Sequence, residues 1–418
     1  MKQRDILIFW LPLFSSWLLM MAEGPLISAA VNRLPDAVVH LAALGIIFSL
    51  AVAIESPIVN LLATSTAKVR DVQSYRQVRR LTLHWCAALT LVAAAIAWPD
   101  VFNLVVIDWL GVPVDIARWV RPGMVIMIPW TAAIGWRRFL QGVLISGGRP
   151  RAVAHGTAIR LGTSAGIAIS LAVASDMPGA LVGAWGLVVG VVAEALFATW
   201  ACRSVILALP AESDREPLGY SNLTRFHLPL AGTAVLTLLI QPFITACLAR
   251  LARPVETLAA WPLIFQFMLL MRAPALALPE TIIALGEQPD RRPALGRFTR
   301  TLTLASLVAM LLFALTPLAT LYLDGLQNAE AGVVELARFG IILMIPLPAL
   351  ATLISWRRGL LILEGRTLVV NEAMFVRLLT TALLLVAGLA SGWSGVVTAG
   401  LALVLSVVAE LAHLAWRR

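Results

Sequence analysis

Seven ionisable side chains stand inside long apolar runs of this chain: Glu23, Glu55, Arg160, Glu194, Arg272, Arg377 and Glu410. A charge carried into hydrocarbon costs at least ~2.5–3.5 kcal/mol, so each such residue needs a partner or a task. Three kinds of chemistry are open to them: pairing with one another, holding a charged solute, or binding a coupling ion. Opposite charges at similar depths favour an ion pair between Arg160 and Glu194, and another between Arg377 and Glu410, each inside one bundle. Substrate contact is the competing role for both arginines. Glu55 and Arg272 each stand two residues before a proline and carry opposite signs. They are candidates for a bridge that forms when the cytoplasmic side of a cleft closes, or are each satisfied within their own bundle. Glu23 precedes Gly24-Pro25, where the proline leaves a backbone carbonyl without its donor. It is either a carboxyl that can cycle a proton in low dielectric, or a hydrogen-bond partner of the broken backbone.

Catalytic constellations are missing from the sequence. The five histidines, at 40, 84, 155, 227 and 413, have no metal-ligand spacing. Cys86, Cys202 and Cys247 form no CxxC pair, and no GxxxxGK[ST] loop could cradle a phosphate. No catalytic residue, no metal site and no cofactor is expected, beyond coupling to a proton or sodium gradient.

The elements that must position these side chains are membrane helices. Apolar residues make up 60% of the 418 and charged ones 13%, and the mean hydropathy is +0.88; soluble domains carry about a quarter charged residues. Lipid offers backbone groups no partner, so apolar runs of 18 or more residues must be helical. Twelve spans are predicted, near 6–32, 39–64, 81–106, 119–142, 152–174, 179–203, 225–249, 257–281, 299–322, 336–358, 368–390 and 394–415. Of the 32 Lys and Arg, 23 then fall on one side, Arg137, Arg138, Arg357 and Arg358 among them. The positive-inside rule makes that side cytoplasmic, with both termini on it. The net charge of +9 is this bias, with affinity for anionic headgroups, so no nucleic-acid partner is expected. The partners foreseen are the bilayer, here a bacterial inner membrane, and a small-molecule substrate, with the chain acting as a monomer.

Shifted by 217 residues, the sequence overlays itself. Between Leu11 and Pro57, 16 of 47 positions are identical to their partners, Pro25 with Pro242, Arg33 with Arg250 and Pro57 with Pro274 among them. Further on, Pro129 meets Pro346 and Arg160 meets Arg377, and with one residue slipped Glu194 meets Glu410. An even number of spans per copy predicts two six-helix bundles related by a pseudo-twofold axis along the membrane normal. The expected division is 1–210 for the N-terminal bundle, 211–222 for a cytoplasmic linker and 223–418 for the C-terminal bundle. Pro25, Pro57, Pro129, Pro242, Pro274 and Pro346 are expected kinks around a central cavity.

The segment from Glu23 to Pro57 resembles the first two helices of the progressive ankylosis family, through Glu23, Leu26, Asp36-Ala37-Val38, Leu41-Ala42, Gly45, Ser49-Leu50 and Pro57. The wider resemblance is to the superfamily of multidrug and toxin extrusion proteins, oligosaccharide-lipid flippases and lipid II flippases. It implies a secondary-active exporter working by alternating access. The ankylosis-like branch implies a small organic anion such as pyrophosphate, citrate or a nucleotide, and an amphipathic solute is also open. The extrusion-protein branch implies that an acid on helix 1, here Glu23, binds the coupling ion. A flippase for a lipid-linked saccharide is the alternative within transport. A non-transporting scaffold or an intramembrane enzyme is the alternative from another class.

Overall fold

The computed structural model describes residues 2–211, 218–286, 288–364 and 366–417. Among them there are helices and turns and no β-strand, as the lack of backbone partners in lipid requires. Ten helices are long and apolar enough to cross a membrane, and the pair Ala331–Leu343 and Leu347–Leu363, bent by 44°, makes an eleventh crossing. The corresponding pair of the first half, Val114–Ile126 and Ile128–Ser146, completes the twelve. Its Arg118, Arg121, Arg137 and Arg138 lower its hydropathy. The protein is thus an all-α polytopic membrane protein.

Duplication is visible in backbone detail that side-chain identity does not carry. Val114–Ile126 and Ala331–Leu343 begin and end 217 residues apart. The π-helical turns Asn103–Trp109 and Leu321–Leu326 hold the same relation to within a residue. So do the left-handed residues Asp36 (φ 52°) and Arg253 (φ 55°), and Gly111 (φ 72°) and Asn328 (φ 52°). A non-glycine residue in that region is strained, so its recurrence at the same register marks a retained turn geometry.

Packing does not follow chain order. One compact unit comprises Met1–Ala42 and Phe243–Arg418, and the other Ala43–Pro242. The expected division at 210 and 223 therefore describes the duplication and not the packing: the helices that open the two copies have changed places. Half of the expected linker, residues 212–217, lies outside the described residues.

In the first unit, Gln3–Val31 is bonded along its length. Gln3 donates to the Ala294 carbonyl (2.8 Å), Trp10 Nε1 to the Pro274 carbonyl (3.2 Å) and Ser28 to Gln266 (2.9 Å), while Gln327 donates to the Pro25 carbonyl (3.1 Å). Ile6 and Trp10 join Leu278, Ile282, Leu295 and Phe298 in one buried cluster. In the second unit, Tyr220–Leu238 plays the same part. His227 Nε2 lies 3.1 Å from the Pro57 carbonyl and Nδ1 lies 2.9 Å from the Thr64 hydroxyl. A carbonyl only accepts, so Nε2 carries the proton and Nδ1 accepts from Thr64. Residues 10 and 227, and Pro274 and Pro57, are related by the same 217-residue shift. Each opening helix thus donates to the carbonyl of the equivalent proline.

Three expectations of detail need correction. The third span is Val72–Ala97 and not 81–106, because Asp71 caps it: its carboxylate accepts from Ser74 N (2.7 Å) and its own N–H donates to Ser74 Oγ (3.0 Å). The span expected at 39–64 is interrupted: Ala37–Glu55 ends, Ser56–Ile58 forms a 3-10 turn around Pro57, and Leu61–Lys68 resumes. Arg137 and Arg358, expected in cytoplasmic loops, lie inside Ile128–Ser146 and Leu347–Leu363, which run on past them. Five of the six repeat prolines lie within three residues of a helix interruption; Pro25 stands inside the continuous Gln3–Val31.

Candidate functional site

Each unit buries a cluster of charges, assembled from equivalent helices. In the Ala43–Pro242 unit the centre is Glu194, on Gly179–Leu207, 1% exposed. Arg137 Nη1 approaches its Oε2 at 2.8 Å, Gln141 Nε2 donates to Oε1 at 3.0 Å, and Arg160 Nη1 stands 3.9 Å from Oε2. Two strongly buried charges hold in low dielectric only when paired and hydrogen-bonded like this. Small residues let the helices come close enough. Gly183, Gly186 and Gly190 recur along Gly179–Leu207, and a side chain at Gly186 would meet the Ser164 carbonyl at 3.1 Å. Membrane helices associate through such stripes because lipid supplies no hydrophobic drive between them.

The cluster continues through an aromatic ring. Trp130 Nε1 donates to Glu55 Oε2 at 2.5 Å, and the Arg160 guanidinium lies 5.4 Å from the centroid of the same indole. The indole thus donates to a carboxylate at its edge and offers its negative face to a cation, which suits its quadrupole. Glu55 also lies in the field of Arg137, Arg160 and Arg138. Two carboxylates here face three guanidiniums.

In the other unit the centre is Glu410, on Gly395–Trp416, with no exposed surface. Arg358 Nη2 is in direct contact with Oε1, and Arg377 Nη1 lies 3.5 Å from Oε2. Arg377 is the repeat partner of Arg160, and Arg358 that of Gln141, so the second guanidinium comes from one turn further along the helix than Arg137 does. Arg272, on Pro254–Leu276, lies in the field of Arg377, Glu410 and Arg358. Its Nε is buried and has no hydrogen-bond partner. One carboxylate here faces three guanidiniums.

Glu55 and Arg272 therefore each meet charged groups within their own unit. Glu23 is 6% exposed on Gln3–Val31, five residues before Ser28, which donates to Gln266, and two before Pro25, whose carbonyl accepts from Gln327. Sequence reasoning missed Arg137, Gln141, Trp130, Arg358 and His227 as members of buried polar networks. The repeat offset held a signal for two of them: Gln141 and Arg358 are a polar pair at related positions inside apolar helices. Among the described residues, no group of three or more His, Cys, Asp or Glu could hold a metal ion.

This twelve-helix, internally duplicated membrane fold is shared with solved transporters of the MOP superfamily. An inward-facing multidrug resistance MATE family transporter of the MOP superfamily superposes with a TM-score of 0.72 at 12% identity, covering 100% of this chain and 99% of that one. The lipid II flippase MurJ, in an inward closed conformation, gives 0.72 at 13% identity over 98% and 87%. A MOP superfamily transporter from Pyrococcus furiosus gives 0.68 at 11% identity over 100% and 95%. No protein-family model and no curated protein matches the sequence. At these identities the likeness is one of fold, and the narrower resemblance to the progressive ankylosis family rests on the segment from Glu23 to Pro57.

Proposed function

We propose that this protein is a secondary-active transporter that exports a small organic anion by alternating access. The observation that carries the reading is the unequal charge of the two clusters. Arg272, Arg358 and Arg377 share the single carboxylate of Glu410, and the Arg272 Nε has no partner. These arginines are only partly exposed, Arg358 by 25% and Arg377 by 17%, so their excess positive charge is costly yet open to an anion that relieves it for part of the working cycle. The equivalent cluster around Glu194 holds a second carboxylate, Glu55, and serves as the closed counterpart. The fold supports the mechanism, since MATE family transporters of the MOP superfamily are known in inward-facing and outward-facing conformations. Glu23 is the coupling site in this reading, in a membrane where both termini face the cytoplasm, and a single chain suffices.

The test is flux in inverted vesicles, with and without imposed proton and sodium gradients, using citrate, pyrophosphate and an amphipathic cation. Gradient-dependent uptake of an anion, cut at least about tenfold by Arg272→Gln in a normally folded protein, is the expected result; a loss of that size is the ~1.4 kcal/mol of one charge-assisted hydrogen bond. Equal transport of the cation by wild type and Arg272→Gln would reject it. The likeness to a lipid II flippase favours a second reading, translocation of a lipid-linked anion. A fluorescent lipid-linked saccharide moved when the small anions are not would select that reading.

A further inference from the structure

The Ala43–Pro242 unit carries a groove of about 690 Å³ that neither ion cluster uses. It is lined by Phe102, Ile107, Val114, Pro122 and Val125, and by two arginines, Arg118 and Arg121. The spacing of three places both guanidiniums on one face of Val114–Ile126. Each is aimed by a backbone bond: Arg118 Nε donates to the Asp115 carbonyl at 3.1 Å and Arg121 Nε to the Ala97 carbonyl at 3.3 Å. Beyond these bonds and the stacking of Arg118 on Trp119, neither has a hydrogen-bond or ion-pair partner among the described residues. Their outer nitrogens are left to whatever fills the groove.

What surrounds the groove is built for lipid. Trp98, Trp109 and Val114 are each more than 60% exposed, and Val125 is about half exposed. Exposed tryptophans beside arginines are the composition of a headgroup-level belt, with apolar surface continuing below it. The duplicated copy keeps one of the two arginines, Arg338 at the place of Arg121, but Glu335 stands at the place of Arg118, Asp324 at that of Ile107 and Ala331 at that of Val114. The second half thus carries acid where the first carries base and an apolar wall. Charge and shape at this one position were set independently of the duplication.

We propose that this groove is a binding site for one anionic phospholipid, its phosphate held between Arg118 and Arg121 and an acyl chain laid along Phe102, Val114 and Val125. A zwitterionic headgroup offers the same phosphate but returns a positive charge beside the guanidiniums, so it binds more weakly. Two arginines near the surface correspond to a preference of about thirtyfold for phosphatidylglycerol over phosphatidylcholine.

Native mass spectrometry of the detergent-purified full chain, titrated with phosphatidylglycerol, phosphatidylcholine of the same chains, or inorganic phosphate, tests this. The expected result is one retained phosphatidylglycerol that survives where phosphatidylcholine is stripped and that inorganic phosphate does not displace. Arg118→Gln with Arg121→Gln should retain one fewer. Because Arg121 also ties Ala97, a second variant, Val114→Glu, keeps both arginines and places a carboxylate on the exposed lip of the groove. It too should lose the lipid. Retention of phosphatidylglycerol by either variant at the wild-type level overturns the site. Equal retention of the two lipids, or displacement by inorganic phosphate, overturns its assignment to an anionic lipid.

Discussion

Replacing Glu194 by glutamine removes the one carboxylate that Arg137 touches among the described residues, and Arg137 is 2% exposed. Gln keeps the shape and one acceptor for Arg137 or Gln141, but leaves a guanidinium charge buried without its counter-ion. Breaking a buried pair in this way costs about 3–5 kcal/mol, and the retained acceptor puts the expectation at about 3. For a body of some 200 residues each kcal/mol corresponds to about 2–4 °C, so Tm should fall by about 6–12 °C. Glu410→Gln is the internal control. Its partners Arg358 and Arg377 are 25% and 17% exposed, so solvent recovers part of the loss and about 1–2 kcal/mol is expected. A thiol-reactive dye reads both melts: Cys86 and Cys202 are buried in one unit and Cys247 in the other, all free. Adding Arg137→Met to Glu194→Leu should recover part of the loss, since the buried charge then goes as well. A Glu194→Gln melt within about 2 °C of wild type, or a Glu410→Gln variant less stable than it, would refute the charge accounting.

Three further outcomes are expected. Gly142→Ala should lower stability by ~1–3 kcal/mol, because a Cβ there lies 2.5 Å from the Leu62 carbonyl, whereas Gly162→Ala meets nothing within 4 Å and should be neutral or stabilising; paired thermal melts decide. Reporter fusions after Gln73, Gly147 and Gln288 should read cytoplasmic and one after Asp176 external, and any inversion breaks the proposed topology. Glu23→Gln should leave the protein folded and able to exchange substrate while gradient-driven accumulation collapses; full accumulation would move the coupling ion to another residue.

Residue type and period made the helices and the duplication legible, since lipid forces helical backbone and a repeat preserves its prolines and turn arginine. Arg160 and Arg377 stood out because a charge inside an apolar run has few explanations. Arg137 and Arg358 were hidden because each lies in an Arg-Arg pair near the end of a span, where a basic pair reads as a cytoplasmic stop; only the length of the helix shows otherwise. The exchange of opening helices was not legible for another reason. Gln3–Val31 and Tyr220–Leu248 are similar in length and hydropathy, and in lipid partner choice depends on surface fit and a few hydrogen bonds, not on apolarity. Those bonds come from Trp10 and His227, which no identity count would align.

That exchange sets an order on how the molecule is made. The ribosome releases Gln3–Val31 into the membrane before the unit from Ala43 to Pro242, yet Gln266, Pro274, Ala294 and Gln327, to which it bonds, come later than every residue of that unit. The unit from Ala43 to Pro242 can close on itself as soon as Tyr220–Leu238 is synthesised, while the first helix waits among lipids or insertion factors with Gln3, Trp10 and Ser28 unanswered. A nascent chain arrested after Pro242 should therefore hold one finished unit and one orphan helix, the orphan open to proteolysis and quality control. A helix made before that unit thus finds its place only after it.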